Sequence, residues 1–172
     1  MDHATFARIE RNEVENVSVR NLTLACAAVG LVLSARAYPA ADPARDAPQL
    51  RLLSRFRARL PSAAPWQTEV PLPIPGDLRA LDGFTRLYER SIGVEAETRI
   101  TDVQAVGRKV QLKKRDARLD VIILLVSDTQ ANRAVLAQHR EALRGAFPLD
   151  TRAVMAALAA GECPASDGIV VL

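Results

Sequence analysis

Aromatic residues are scarce in this 172-residue chain, which carries four Phe, two Tyr and one Trp. A packed interior must therefore be built from Ala, Val, Leu and Ile, with the rings as occasional anchors. Cysteine is nearly absent: Cys26 and Cys163 lie far apart, with no CxxC or Cys/His spacing. That excludes a zinc module and a disulfide framework, and reduced thiols in a cytoplasmic protein are the simple reading. No apolar stretch reaches the roughly 20 residues that span a bilayer, so no membrane partner is expected. Phosphate loop, dinucleotide fingerprint, nucleophile elbow and zinc-protease motif are all missing. Charge of one sign is also lacking, since 23 Lys and Arg against 20 Asp and Glu leave a net +3. Such a balance does not by itself establish a nucleic-acid partner. Lysine is confined to Lys109, Lys113 and Lys114, and every other basic residue is Arg, the bias of a GC-rich gene.

About half the residues are apolar (49%), which makes the chain globular rather than disordered. Thr5 to Arg11 reads as the end of a helix, with Phe6 and Ile9 on one face and Asn12 stopping it. Ser18 is a good N-cap for a second helix, along which Leu22, Cys26 and Val29 recur at helical spacing until Gly30. Arg20, the apolar run from Leu22 to Leu33 and Ser34-Ala35-Arg36-Ala37 also have the outline of a secretory signal, but Glu10, Glu13 and Glu15 ahead of it argue against that. Leu31 to Tyr38 reads as a short strand. The Ala, Asp and Pro of residues 39–49 have a linker composition, so a boundary is expected there between a unit at 1–38 and a domain at 50–172.

The second unit opens on Leu50, Leu53, Phe56 and Leu60 at helical spacing, ended by Pro61. Trp66 to Ile74 alternates but holds Pro71 and Pro73, which restricts it to an edge strand or an extended arm. Ala80 to Tyr88 and Ile92 to Ile100 read as paired strands. Thr101-x-x-Gln104 is a capping box opening a helix to about Arg115. Leu119 to Val126 is the continuous apolar run of a buried central strand. Helices at Gln130 to Arg144 and Thr151 to Ala160 precede a last strand at Gly168 to Leu172. The order predicts an α/β (α+β) domain, a mixed sheet flanked by helices.

Thr5-Phe6-Ala7-Arg8-Ile9-Glu10-Arg11-Asn12, then Val17-Ser18-Val19-x-x-Leu22 and Ala25-x-x-Ala28-Val29-Gly30-Leu31, resemble the second half of XRE-family (lambda-repressor-like) helix-turn-helix regulators. The resemblance covers residues 1–36. It implies that the first helix is the recognition helix, with Ile9 packed inward and the polar face in the major groove. His3, Ala4 and Ala7 would then face bases, with Thr5, Arg8 and Arg11 nearer the phosphates. Asn12 stands where the family has Gly, and both tolerate a left-handed helix end. The family's two leading helices have no counterpart. Met1 stands where the family often has Val, so a GTG codon read as the start is the expected explanation, with the true start upstream. The alternative is a remnant that packs on the second domain.

Asp82, followed on the next strand by Glu95-Ala96-Glu97, resembles the PD-(D/E)XK arrangement of restriction-endonuclease-like folds. There an acid on one strand and a (D/E)-x-K on the next hold Mg²⁺ while the Lys assists the attacking water. The resemblance makes Asp82, Glu95 and Glu97 the metal ligands. Glu97 stands where Lys is expected, so the positive charge must come from the following helix, which offers Arg108, Lys109 and Lys113. Gln104, Arg108, Gln111 and Arg115 form a polar row on that helix, of the kind that lines an active site or phosphate path. Glu95 and Glu97 share a parity and point away from the side of Val94 and Ala96. The alternative is an ion-paired network holding sheet to helix. Asp128 or Thr129 caps the next helix, Arg133 can reach an anion there, and His139 is a solvated helix residue.

The two halves together resemble bacterial XRE-family regulators that carry an α/β domain. The expectation is a DNA-binding regulator, homodimeric, whose second domain serves dimerisation, ligand sensing or DNA contact. The rival is a Mg²⁺-dependent nuclease, active or degenerate.

Overall fold

The computed structural model describes residues 3–11, 13, 14, 16–33 and 43–172, with the backbone alone for 43–46. The chain divides into two compact units, Met1–Ala41 and Asp42–Leu172. In the first, α1 spans His3–Glu10 and α2 spans Val19–Ala28. Ser18 caps α2 by accepting a hydrogen bond from the Asn21 amide, and Gly30 adopts φ +76° just beyond the helix end. Phe6 and Ile9 are only half-buried, and Ala25 is the one buried residue of α2. Leu31 to Leu33 carry no strand; Asn12 and the rest of the strand expected to Tyr38 lie outside the described residues.

The expected linker is a helix over its second half. α3 spans Pro43–Arg57 rather than beginning at Leu50. Proline at the first helical position loses no hydrogen bond and has its φ already set, so Ala, Asp and Pro here begin a helix rather than a tether. Then follow β1 Gln67–Pro71, β2 Ala80–Leu87, β3 Arg90–Glu97, α4 Val103–Ala117, β4 Val121–Val126, α5 Gln130–Gln138, α6 Arg140–Ala146, α7 Thr151–Ala159 and β5 Gly168–Val171. The helix expected over Gln130 to Arg144 is two helices meeting at His139. α4 is capped by Asp102, whose carboxylate accepts from the Ala105 amide, not by Thr101.

The sheet runs β1-β2-β3-β4-β5, with β1, β2 and β3 antiparallel in turn and β3, β4 and β5 parallel. This is a mixed α/β sheet with helices on both faces. Val121, Ile123 and Leu125 of β4 pack with Ile92, Val94 and Ala96 of β3 under Phe56 of α3 and Leu158 of α7. Ile122, Leu124 and Val126 pack on the other face under Val110 of α4 and Leu143 of α6. All six residues of β4 are buried, because a strand covered on both faces has no polar side to present. β1 is an edge strand, which suits the proline, Pro71, at its end.

Candidate functional site

The charged cluster lies where β2, β3 and α4 meet. Val94 and Ala96 point into the core under α3, so Glu95 and Glu97 point to the α4 side. That side is covered rather than wet: Glu95 has no exposed surface. The β2–β3 register runs to Gly83↔Val94, and beside it Asp82 Oδ2 accepts the Ala96 amide at 2.8 Å. The carboxylate there holds a strand amide next to the end of the ladder, where the backbone carbonyls no longer reach.

Lys109 and Lys113 are one helical turn apart on α4 and face the sheet together. Lys113 Nζ is 2.8 Å from Oε1 and 2.7 Å from Oε2 of Glu95, and 2.6 Å from the Ala80 carbonyl oxygen. The three acceptors account for the ammonium's three donors. Its side chain is itself buried (8% exposed). Lys109 Nζ bonds Glu97 Oε1 at 2.9 Å and lies 3.7 Å from Glu95 Oε2. Burial and the nearby Asp82 push the Glu95 carboxyl up to about 7, against the pull of Lys113 and Lys109. Burial lowers Lys109, but Glu97 and Glu95 outweigh it and the ammonium is held above its ordinary value.

Asp82, Glu95, Glu97, Lys109 and Lys113 thus come together. Gln104 and Arg108 do not join them: they line a cleft of about 340 Å³ against Ala142, Leu143 and Ala146 of α6. The polar row is real as a stripe, yet it sits on another side of α4 from the two lysines. Gln111, on the same stripe, donates to the Ala146 carbonyl and to Asp167, and Arg115 pairs with Asp116.

The donor set does not fit a divalent cation in this arrangement. Both Glu95 oxygens are held by Lys113 and Asp82 Oδ2 by an amide, and among the described residues no three His, Cys, Asp or Glu side chains form a metal-holding group.

At the far end of β4, Thr129 is the cap, accepting from the Asn132 amide, while Asp128 pairs with Arg133. His139 is exposed at the α5–α6 junction. In the first unit His3, Ala4 and Arg8 are exposed, Thr5 and Ala7 half-buried, and Arg11 is paired with Glu13 at 2.8 Å.

Asp167 and Asn132 are buried polar groups that no sequence motif singles out. Asp167 takes Lys114 on both oxygens, at 2.7 and 2.9 Å, and the Ile122 amide at 2.9 Å. Asn132, fully buried, accepts from the Ile100 amide and donates to the Thr98 and Ser127 carbonyls. The only signal for Asn132 was a polar residue one turn past a buried strand; nothing local links Asp167 to Lys114. Comparison with protein-family models, curated proteins and solved structures finds no match for this chain.

Proposed function

We propose that this protein is a DNA-binding regulator of the XRE type, homodimeric on its operator, whose α/β unit is a restriction-endonuclease-like scaffold that no longer cleaves. One observation carries the non-catalytic part: Lys113 holds both oxygens of a carboxylate that has no exposed surface. A metal at Glu95 would have to displace that ammonium and leave it buried without a counter-charge, at a cost of several kcal/mol. The DNA-binding part rests on the helix-turn-helix resemblance of residues 1–36 and on the exposed His3 and Arg8 of α1.

The test combines metal and DNA. Mg²⁺ or Mn²⁺ should leave the melting temperature unchanged and cleave neither single-stranded, duplex nor branched DNA. Duplex binding should weaken steeply with salt, because phosphate contacts release counterions. The convergence of Asp82, Glu95 and Glu97 with two lysines favours a second reading, a metal-dependent nuclease with its lysine moved to α4. Metal-dependent stabilisation together with cleavage that Asp82→Ala abolishes without unfolding the protein would establish it instead.

A further inference from the structure

Between α5, α6 and the edge strand β5 lies a cleft of about 460 Å³, within the range of roughly 300–1,000 Å³ usual for small-molecule sites. Its lining is apolar at Leu136, Phe147, Ile169 and Val171, and α6 adds Arg140 and Arg144. These two arginines are four residues apart on α6, so their guanidinium groups stand on one side of the helix. Both are exposed, and neither has a carboxylate partner among the described residues.

The remaining polar lining is already engaged. Arg133 is held by Asp128 through two nitrogens. Asp150, the one acid in the wall, turns Oδ1 to the Ala153 amide as the cap of α7. The Thr151 hydroxyl donates to the Ile169 carbonyl and accepts from the Val171 amide. Two arginines without a carboxylate partner, beside an apolar lining, are what remains for a ligand.

We propose that this cleft binds a small amphiphilic anion, a carboxylate or phosphate on an apolar body, with Arg140 and Arg144 gripping the charged group and Leu136, Phe147 and Ile169 covering the rest. Guanidinium forks suit both oxyanions because each offers paired N–H donors. The site lies wholly within the second unit, so it stands or falls independently of DNA binding.

Octanoate and octyl phosphate are the probes, titrated calorimetrically against the full chain, with 1-octanol as the neutral control. At least one anion should bind saturably with one-to-one stoichiometry and raise the melting temperature. Whichever binds more tightly identifies the headgroup. The Arg140→Ala/Arg144→Ala variant should lose about tenfold or more in affinity, while melting as the parent does without ligand because both side chains are exposed. Octanol binding as tightly as the anions, undiminished affinity in the double variant, or no saturable binding of either anion at millimolar concentration would each overturn the proposal.

Discussion

Above about pH 7 Glu95 carries its charge in a dry place, and Lys113 is the amine that stands against it. Removing one partner of such a pair strands the other, which costs about 3–5 kcal/mol, whereas replacing both by apolar groups is often neutral. Lys113→Met should therefore be strongly destabilising above pH 7, and Lys113→Met/Glu95→Leu should recover most of the loss, read as urea midpoints. A single variant as stable as the parent would mean that the pair does not hold α4 to the sheet. Much of this site was legible. Strand alternation put Glu95 and Glu97 on one side, and a buried side with two acids demanded a cation. Which cation was not legible, because Arg108, Lys109 and Lys113 sit within one short helical stretch and only the packing of α4 decides which stripe meets the sheet. Gln104 and Arg108, on the polar row of the same helix, fall on the α6 side.

Elements were read best where one signal dominated. Leu119 to Val126 could only be a doubly covered strand, and Pro71 and Pro73 confined Trp66 to Ile74 to an edge strand or an extended arm, which β1 meets at the edge. The errors arose where composition stood in for periodicity: the Ala-Asp-Pro run ahead of Leu50 reads as linker but forms the first turns of α3 from Pro43. Long-range polar ties leave little local trace, since a polar residue one turn past a strand does not say which distant groups it joins. Asn132 is the clearest, since its buried amide joins the start of α5 to the Ile100 amide and to the Thr98 and Ser127 carbonyls. Asn132→Ala leaves those groups unpaired at about 1–3 kcal/mol for each that water cannot reach. A loss of about 2–4 kcal/mol is expected, with faster amide exchange at Ile100. Asn132→Asp should rescue the Ile100 bond but neither carbonyl, since a carboxylate has no donor. Unchanged exchange at Ile100 in the alanine variant would refute the tie.

At the scale of the second unit, the strand order follows the chain, each strand lying beside the next, so an antiparallel run β1-β2-β3 and a parallel run β3-β4-β5 make up the expected mixed sheet. The whole molecule's stability against pH then depends on two opposed sets of carboxyls. Asp116 is held low by Arg115 and Arg79, Asp120 by Ser91 and Asp128 by Arg133. Their stabilisation is present above the ordinary aspartate value of 3.8 and is lost as pH falls through their lowered values. Glu95 works the other way. Burial and Asp82 raise it from 4.5 to about 7 despite the facing ammonium groups of Lys113 and Lys109. Between those values the folded chain binds its proton more tightly than the unfolded chain does, so stability falls as pH rises through that window. At 1.36 kcal/mol per pKa unit, the decline attributable to Glu95 is about 3 kcal/mol at most. Stability should accordingly peak in mild acid and decline toward pH 7, measured as urea midpoints from about pH 4 to pH 8. Glu95→Gln, which cannot ionise, should flatten the decline and leave the acid limb unchanged. A parent profile that stays level or rises from about pH 5 to pH 7 would show that Lys113 keeps Glu95 ionised throughout, and that the ion pair outweighs the burial of its carboxylate.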